Sequence, residues 1–499
     1  MRKIPSTMAT QHPDNAGRPL WNSRAYISTG TEPREAYYCF NNLGMDEYNW
    51  DWEGKFVDEA VVDRLLHKYF DYFKSHSLGK EKFLTFRIPN PRIEKQFRLA
   101  RAFMVMITSS QLAESLGFSS PPIFETILPL TETASEIMDI QEAFRELVAI
   151  DHKLLKMEDS IQHIEIIPLF EQVERIFESS NIIKKYISLH LKKFGKKPQY
   201  LRPYCARSDP ALNSGLVATM LAVRCALSNF SSLESETGVK LFPMLGTGSL
   251  PFRGGVNPLT TSETIQKYPG VRTLTIQSAF RYDYAEKRVK EAIHELNREL
   301  PHLSAVSVPK KLENTAKESV SFFEKPYRET IEKIAPLINI LSKQVAKRRE
   351  RVQHVGLFGY SRGVGKVTLP RAIPFTASLY SIGIPPEIIG TGRGLLDAKK
   401  KGVLSEILHL YPTLKNDIIQ AGYFFNQNTL EKTIGSIKNL NGLRKDIEGI
   451  EEIFHIELGP KEPSHFEHKE LTDTIYEDRH HKKVSDLITR SGVLRKSLG

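Results

Sequence analysis

The sequence predicts an α/β fold of the TIM type, a (β/α)8 barrel with additional helices at the C-terminus. Short apolar runs without polar alternation recur along the chain, as expected of strands that are buried on both faces. Helical patterns separate most of these runs, and strand–helix alternation indicates a parallel sheet. Polar residues follow nearly every run, so many strands deliver side chains to one barrel mouth. An open doubly wound sheet, the competing architecture, collects them mainly at one switch point.

Eight apolar runs supply the predicted strands. They span residues 83–86, 122–124, 163–170, 200–205, 241–245, 274–277, 354–358 and 387–389. Apolar residues at helical spacing predict the helices between them, near residues 56–76, 93–116, 133–155, 173–194 and 214–230. After residue 394 the pattern is helical only, near residues 404–410, 430–443 and 471–494.

We expect a single barrel-based domain over residues 1–499, because no stretch is rich enough in Gly, Ser or Pro to mark a linker. Within it, residues 1–55 are interpreted as an irregular N-terminal segment that contributes to the active site. Residues 56–395 are the predicted barrel, and residues 396–499 are added helices that cap the barrel or join subunits.

The composition favours a soluble cytoplasmic protein. An apolar fraction of 40% suffices for a large core, and the apolar runs stay well below the roughly 18 residues of a membrane-spanning helix. The N-terminus lacks the apolar region of a secretory signal. Three cysteines without metal or redox spacing suit a reducing compartment.

The net charge of +10 raises the question of nucleic-acid binding. However, the 69 basic residues are mostly interleaved with 59 acidic ones, and no zinc-finger, RNA-recognition or basic-zipper signature occurs. The densest basic cluster, residues 347–351, is interpreted as the solvated C-terminal end of a helix, where positive charge complements the helix dipole. We therefore expect neither nucleic acid nor a membrane as a partner. A positive field equally attracts small anionic substrates.

A glycine-rich segment after one predicted strand is the leading candidate for anion binding. Residues 241–258 read LFPMLGTGSLPFRGGVNP, with Arg253 among the glycines. Glycine lets backbone N–H groups approach an anion, and an arginine adds a planar fork of donors for phosphate or carboxylate. The segment is neither a Walker A loop nor a dinucleotide fingerprint. The alternative interpretation is a strand end with ordinary turn glycines.

Charged and polar residues follow most of the predicted strands. They are Arg87, Glu125, Glu171, Arg207, Asp209, Arg253, Gln277, Arg281, Arg362 and, a little later, Arg371. Arginines and carboxylates at one mouth suit a divalent metal bound together with a phosphorylated acid, and carboxylates favour Mg²⁺ or Mn²⁺. The Cys/His spacing of a zinc site is missing. The alternative is that Arg–Glu pairs form salt bridges that close the barrel mouth.

Several longer motifs resemble one enzyme family. They are residues 10–15 (TQHPDN), 35–38 (EAYY), 50–54 (WDWEG), 86–91 (FRIPNP), 277–284 (QSAFRYDY) and 369–374 (LPRAIP). Taken jointly, and over essentially the whole chain, they resemble the archaeal-type phosphoenolpyruvate carboxylases, short relatives of larger bacterial and plant enzymes. The resemblance implies anaplerotic carbon fixation, in which phosphoenolpyruvate and bicarbonate give oxaloacetate and phosphate via carboxyphosphate and a metal-stabilised enolate. It also implies a homotetramer.

The resemblance implies roles for individual residues. In the larger enzymes the metal ligands are the Glu of a Pro-Leu-Phe-Glu strand end and the Asp of a Ser-Asp-x-Ala segment, which match Glu171 and Asp209 here as ligands of Mg²⁺ (or Mn²⁺). An Arg-Gly-Gly loop matches at Arg253, which would hold bicarbonate or carboxyphosphate. Arg362, in partial match to a Gly-Ser-Arg segment, would grip the substrate phosphate. His12 of the His-Pro motif is implied as the catalytic histidine, which takes the bicarbonate proton or steadies carboxyphosphate.

The implied substrate-binding set is larger than these residues. It comprises Arg87, Arg207, Arg281, Arg362, Arg371, Gly254, Gly255 and Gln277. The chain departs from the larger enzymes at residues 245–249 (LGTGS), where they carry His-Gly-Arg-Gly-Gly and hence a phosphate-binding arginine. Arg87, Arg207 and Arg281 are the candidates to replace it. Residues 14–15 (DN) also stand where Thr-Glu follows the His-Pro of the larger enzymes.

Two other functions compete with this one. Another metal-dependent barrel enzyme that acts on pyruvate or phosphoenolpyruvate, an aldolase or a phosphotransferase, would need no bicarbonate site at Arg253. Activity without bicarbonate would therefore favour it. A basic scaffold or nucleic-acid binder would instead show strongly salt-dependent binding to DNA or RNA.

Overall fold

The computed structural model describes residues 2–55, 57–95, 97–150, 161–350, 362–364, 367–481 and 484–499. The strands of these residues are β1 (Thr7–Thr10), β2 (Glu47–Asp51), β3 (Phe83–Arg87), β4 (Glu125–Leu128), β5 (Glu165–Phe170), β6 (Tyr200–Leu201), β7 (Tyr204–Ala206), β8 (Lys240–Leu241), β9 (Met244–Gly246), β10 (Thr273–Ile276), β11 (Arg362–Val364) and β12 (Val367–Leu369). Eight of them form a closed parallel barrel in the order β1-β10-β9-β7-β5-β4-β3-β2. The short β6 and β8 pair beside the barrel, and β11 and β12 form an antiparallel hairpin.

The closed barrel confirms the predicted TIM-type fold, but the interpretation of the N-terminal segment as irregular is wrong. Residues 1–55 contain β1, β2 and the helix α1 (Glu32–Asn41), and the two strands close the barrel between β10 and β3. Their sequences, TMAT and EYNWD, lack apolar runs. The reason is that polar side chains on them are buried against polar partners, as Glu47 is against Arg202.

Other predicted strands shift or disappear in the structure. The run at 122–124 precedes β4, which begins at Glu125. Residues 387–389 form a turn, because two consecutive prolines before them restrict φ and remove N–H donors. The run at 354–358 lies outside the described residues. The remaining runs overlap β3, β5, β6, β7, β8, β9 and β10.

Helices surround the barrel and make up the C-terminal part of the described chain. Beyond α1 they are α2 (Val61–Lys68), α3 (Phe70–Ser75), α4 (Arg98–Ser115), α5 (Ala134–Val148), α6 (Val173–Phe194), α7 (Ser208–Ser214), α8 (Leu216–Thr237), α9 (Thr261–Lys267), α10 (Ser278–Tyr282), α11 (Glu286–Glu299), α12 (Lys310–Ser342), α13 (Ala372–Tyr380), α14 (Thr391–Lys400), α15 (Leu404–Leu410), α16 (Leu414–Gly422), α17 (Gln427–Ser436), α18 (Gly442–Phe454), α19 (Pro463–Glu477) and α20 (Val484–Leu494). The C-terminal part is helical as predicted, but the stretch 430–443 is divided between α17 and α18, and the stretch 471–494 between α19 and α20.

The helix α8 is a buried core helix. Within the described residues it is the one helix that is long and apolar enough to span a membrane, and 83% of its apolar window is buried inside the fold. It packs against α6 and against α12, a helix of 33 residues. The length of uninterrupted apolar runs underestimates how apolar this helix is, because Thr219, Arg224 and Ser228 interrupt those runs.

One buried arginine joins strands at the N-terminal end of the barrel. The Nη1 atom of Arg202 donates to Glu47 at 2.8 Å and to Glu125 at 2.7 Å. Its Nη2 atom donates to Glu47 at 2.7 Å and to Thr273 at 3.1 Å. These three partners begin β2, β4 and β10, so Glu125 belongs to the barrel bottom and not to the predicted mouth. Burial opposes the charge of Arg202, and the two carboxylates overcome that effect and raise its pKa.

Removing this guanidinium should destabilise the whole barrel. Arg202→Ala leaves the buried carboxylate of Glu47 without its cation and leaves Glu125 paired with Arg2 alone, so we expect the free energy of unfolding in urea to fall by about 3–5 kcal/mol. The control is Lys399→Ala, which removes an exposed ion pair with Glu452 and should change it by less than about 1 kcal/mol. Equal small effects of the two substitutions would contradict the assignment.

Candidate active site

Side chains from several strand ends line one cavity at the carboxyl end of the barrel. The cavity has a volume of about 590 Å³. Its wall includes His12 after β1, Arg87 at the end of β3, Asp209 after β7 and Arg253 after β9. Arg371, directly before α13, also lines it. The structure thus brings these predicted site residues together, as expected where strand ends share one barrel mouth.

Arg253 is held through all three nitrogens of its guanidinium. Nε donates to Ser208 Oγ at 3.1 Å, and Nη2 donates to Gln277 Oε1 at 2.5 Å. Nη1 donates to Asp14 Oδ2 at 3.2 Å and to the main-chain oxygen of Gly499. The residue is only 1% exposed, so these partners set its orientation. Gln277, predicted to bind substrate, is here a partner of Arg253.

The glycines beside Arg253 serve the conformation of the loop. Gly254 and Gly255 have φ angles of +123° and +70°, which residues with a side chain rarely adopt. Gly254 N donates to Pro251 O at 3.0 Å, and Gly255 N donates to Leu250 O at 2.9 Å. The predicted cradle of N–H groups around an anion is therefore wrong for these two donors, because the tight turn already uses them. Among these groups, the side chain of Arg253 is the one that lines the cavity.

Arg87 is paired with two carboxylates. Its Nε and Nη2 donate to the two oxygens of Asp51 at 2.9 and 2.8 Å, and Nη1 lies 2.7 Å from Glu53 Oε2. Burial opposes the charge of Arg87, and the two carboxylates overcome that effect and raise its pKa well above its ordinary value. Two negative charges around one positive charge make Arg87 a weak replacement for the missing phosphate-binding arginine.

Glu171 and Asp209 lie on the wall of an adjoining cavity of about 680 Å³. Asp209 lines both cavities and so stands where they adjoin. The Leu130 N–H donates to Glu171 Oε2 at 2.8 Å and orients that carboxylate. Across the described parts of the chain, no three His, Cys, Asp or Glu side chains form a metal-binding group. Two carboxylates fit Mg²⁺ or Mn²⁺, which prefer oxygen ligands and take further ones from water and substrate.

The structure places Arg207 and Arg281 outside the walls of both cavities. Arg281 is buried, and its Nη2 donates to Glu35 Oε1 at 2.9 Å. Arg207 Nε donates to Tyr268 OH at 3.2 Å, and that hydroxyl donates to Gly254 O at 2.9 Å. The first arginine thus holds a buried carboxylate, and the second supports the glycine-rich loop. Both Nη atoms of Arg207, and Nε and Nη1 of Arg281, are buried without a hydrogen-bond partner among the described residues, so the predicted substrate contacts of the two arginines stay predictions.

The two predicted arginines beyond α12 differ in what the structure describes. Arg371 lies beside Gly54, which follows β2 by three residues. A Cβ atom on Gly54 would be 3.4 Å from Arg371 Nη2. Arg362 lies in β11, and its side chain is outside the described part of the chain. Its contact with phosphate therefore stays a prediction.

Basic residues that directly follow α12 were missed as part of the site. Lys343, Lys347 and Arg348 line the cavity of about 590 Å³. The interpretation of residues 347–351 as a solvated helix end is wrong for Arg349, which is buried and pairs with Glu32 at 2.8 Å. No spacing signal locates this cluster, because its position depends on where the long helix before it ends.

A buried carboxyl group supports the loop that carries Arg253. Glu387 Oε1 accepts the N–H of Phe252 and the hydroxyl of Tyr380, both at 2.7 Å. Glu387 Oε2 is buried without a hydrogen-bond partner among the described residues. Burial raises the pKa of Glu387 to about 7, although the hydrogen bonds from Tyr380 and Phe252 favour the charged form.

Comparison with known proteins identifies one family. Residues 4–499 match the family described as phosphoenolpyruvate carboxylase. The phosphoenolpyruvate carboxylase of Leuconostoc mesenteroides is 39% identical over 509 aligned residues, which cover 100% of this chain and 99% of the relative. That of Metallosphaera sedula is 37% identical, with 100% of each chain covered. That of Pyrococcus horikoshii is 37% identical over 86% of this chain and 90% of its own.

The protonation of Glu387 should make stability depend on pH. Its folded pKa of about 7 lies above the ordinary value of 4.5, so the folded state binds the proton more tightly. Stability is therefore greatest below the ordinary pKa, falls as the pH rises to about 7 and is level above that, with a total loss on the order of 3 kcal/mol.

Glu387→Gln isolates this contribution, because the amide is neutral at every pH and keeps an oxygen for Phe252. We expect the variant to gain stability relative to the unaltered protein as the pH is raised from 5 to 8, measured by urea unfolding at each pH. Glu457→Gln, at a side chain that is 85% exposed, should show no such gain. Parallel pH profiles for Glu387→Gln and the unaltered protein would contradict the assignment.

Proposed function

The chain belongs to the phosphoenolpyruvate carboxylase family, and on that premise we propose that the cavity at the barrel mouth is where it forms oxaloacetate and phosphate from phosphoenolpyruvate and bicarbonate. Family membership makes the protein a carboxy-lyase. The observation that carries the proposal is the convergence of His12, Asp209 and Arg253 on one cavity wall. These are a proton acceptor, a metal ligand and an anion-binding cation, the groups that this reaction needs.

We assign Glu171 and Asp209 to a divalent cation, Mg²⁺ or Mn²⁺. In support, they follow the neighbouring strands β5 and β7 and line the same cavity. When bound, the cation supplies positive charge that polarises substrate oxygens. The N–H of Leu130 orients Glu171 toward that task.

Arg253 binds bicarbonate and the carboxyphosphate formed from it. In the proposed reaction, a bicarbonate oxygen attacks the phosphorus of phosphoenolpyruvate, and the enolate of pyruvate leaves. Ser208 and Gln277 orient the guanidinium as neutral acceptors, so they do not cancel its charge. A fixed cation beside the transferring phosphoryl group stabilises the negative charge that spreads over it.

His12 accepts the proton of bicarbonate. The hydroxyl oxygen of Thr10 lies 3.0 Å from His12 Nδ1 and fixes the rotation of the ring. Imidazole is suited to this step because it titrates near neutral pH. Carboxyphosphate then breaks into CO₂ and phosphate, and the methylene carbon of the enolate attacks CO₂ to give oxaloacetate.

Arg371, Lys343 and Lys347 bind the phosphate of the substrate, together with Arg362 as the family resemblance implies. In support, the first three line the cavity. Arg87 is less suited because Asp51 already takes two of its nitrogens. The basic residues after α12 thus take the place of the arginine that residues 245–249 lack.

An apolar floor beneath the mouth protects the unstable intermediates from water. Inside the barrel, Leu169 belongs to a buried cluster with Met8, Ile127, Tyr204 and Met244. CO₂ and the enolate methylene group are apolar, and excluding water beside them prevents loss of CO₂ and protonation of the enolate.

We also propose that the protein is a cytoplasmic homotetramer with an anaplerotic role. Family membership supports the location, the tetramer and the anaplerotic role. Gel filtration of the purified chain at a mass close to that of a monomer would contradict the tetramer.

Oxaloacetate formation should require both bicarbonate and Mg²⁺. His12→Ala and Arg253→Ala should each lower kcat by about 100- to 1,000-fold, because each removes a group that acts on the transferring charge or proton. Coupling to malate dehydrogenase measures the rate, and unchanged melting temperatures show that the variants fold.

The matched control is Arg444→Ala on α18, which removes an exposed pairing with Glu431 on α17 and should leave kcat unchanged. Turnover that persists without bicarbonate would point to an aldolase or a phosphotransferase. Full activity of His12→Ala would remove that residue from the mechanism while leaving the reaction in place.

Substitution of the two carboxylates should weaken metal binding directly. We expect Glu171→Gln and Asp209→Asn to raise the Kd for Mn²⁺ by about tenfold or more, since each ligand lost removes one charge from the site. Isothermal titration with Mn²⁺ measures this without turnover. Glu174→Gln, on the wall of the same cavity, is the control, and an equal effect there would argue against the assigned ligands.

A further inference from the structure

We propose that Asp14 is a positioning residue that fixes Arg253 and the His12 loop relative to each other, an inference that rests on the proposed function. Sequence reasoning gives Asp14 no role. In the structure it is fully buried, two residues after His12, and its carboxylate contacts Arg253.

Both oxygens of the Asp14 side chain have donors. Oδ2 accepts from Arg253 Nη1 at 3.2 Å. Oδ1 accepts the N–H of Ala279 at 2.7 Å and lies 3.1 Å from the hydroxyl of Ser278. A buried carboxylate with partners on both oxygens is held in one orientation. Asp14 therefore holds the Arg253 guanidinium in a defined position.

The same contacts fix the histidine loop. The hydroxyl of Ser278 lies 2.7 Å from the main-chain oxygen of His12, and its oxygen accepts the N–H of Asn15 at 3.2 Å. Pro13 stands between His12 and Asp14 and restricts the backbone there. Holding Asp14 thus holds the main chain of His12.

The main chain of Asp14 binds the C-terminal segment. Its carbonyl oxygen accepts the N–H of Leu498 at 2.7 Å and lies 3.2 Å from the hydroxyl of Ser497. The main-chain oxygen of Gly499 in turn accepts from Arg253. Asp14 and Arg253 are therefore linked both directly and through this segment, so a substitution at one residue should alter the position of the other.

The contact of Asp14 with Arg253 differs from the contacts that Arg87 makes with its two carboxylates. Arg87 has three nitrogens on the carboxylates of Asp51 and Glu53, which offset its charge. Asp14 contacts one nitrogen of Arg253 at 3.2 Å, and the contacts from Ser208 and Gln277 are neutral. These contacts set the orientation of Arg253 through all three of its nitrogens, and the residue still lines the cavity.

The test is a double-substitution cycle with Asp14→Asn and Arg253→Lys. Asp14→Asn keeps an oxygen for Ala279 but removes the charge beside Arg253. Alone, it should lower kcat/KM for bicarbonate by about 10- to 100-fold and change KM for phosphoenolpyruvate by less than about threefold. In the Arg253→Lys background, Asp14→Asn should lower kcat/KM for bicarbonate by less than about a further threefold, because its effect acts through Arg253.

Asp446→Asn is the matched control for the loss of a buried ion pair. Asp446 is fully buried and pairs with Arg393 at 2.7 Å, and neither residue lines the cavity. The substitution should lower the melting temperature and leave kcat/KM for bicarbonate within about threefold. An effect as large as that of Asp14→Asn would show that any buried pair affects turnover, which would overturn the specific role.

A binding measurement separates this proposal from the proposed function. Bicarbonate should raise the melting temperature of the unaltered protein, and Asp14→Asn should abolish that rise. A retained rise, or fully multiplicative effects of Asp14→Asn and Arg253→Lys on kcat/KM, would overturn the role of Asp14. Absence of oxaloacetate formation alone would overturn the proposed function and leave the binding test decisive for Asp14. If Asp14→Asn does not fold, Asp14→Glu, which keeps the charge but displaces it, enters the same measurements.

Discussion

Pairing of buried arginines with buried carboxylates is the constraint on which this barrel depends. Arg202 is almost completely buried among strand starts, and it stays charged there because Glu47 and Glu125 lie within 2.8 Å of it. Burying the guanidinium or the carboxylates without the opposite charge would be unfavourable. The strands must therefore pair in the one register that brings the two kinds of group together. The barrel interior is therefore specified by polar pairing at its bottom as well as by the apolar cluster above it.

The two ends of the barrel use the same residue types for opposite purposes. At the bottom, two carboxylates surround Arg202 and leave no charge for a ligand. At the mouth, Arg253 meets the carboxylate of Asp14 through one nitrogen and the side chains of Ser208 and Gln277 through the other two, so its orientation is fixed. A preorganised cation in a partly enclosed cavity needs little reorganisation to bind an anion. The two arginines therefore differ in position, since Arg202 joins strand starts and Arg253 lines a cavity.

Much of the fold, but less of the candidate site, could be predicted from the sequence. Apolar runs between helical patterns were enough to predict a parallel barrel, because strands buried on both faces have that composition. They failed for β1 and β2, whose residues include the buried Thr7 and Glu47, both with polar partners. Position after a strand correctly brought Arg253 and Asp209 to the mouth. It could not tell them from Arg281, because the direction of a side chain depends on where the opposite charge lies, here Glu35.

The site is assembled from parts of the chain that are far apart in sequence. Arg253 takes its partners from Asp14, 239 positions away, and from Gly499, 246 positions away. No local pattern encodes such contacts, which explains why the sequence gives Asp14 a place in a motif but no role. It also follows that the N-terminal loop and the C-terminal segment both contribute to the orientation of Arg253, beside Ser208 and Gln277. Because Asp14 and the main-chain oxygen of Gly499 both contact this guanidinium, loosening of either segment should alter the proposed anion site, and the C-terminal segment is as much a part of the candidate site as the strand ends are.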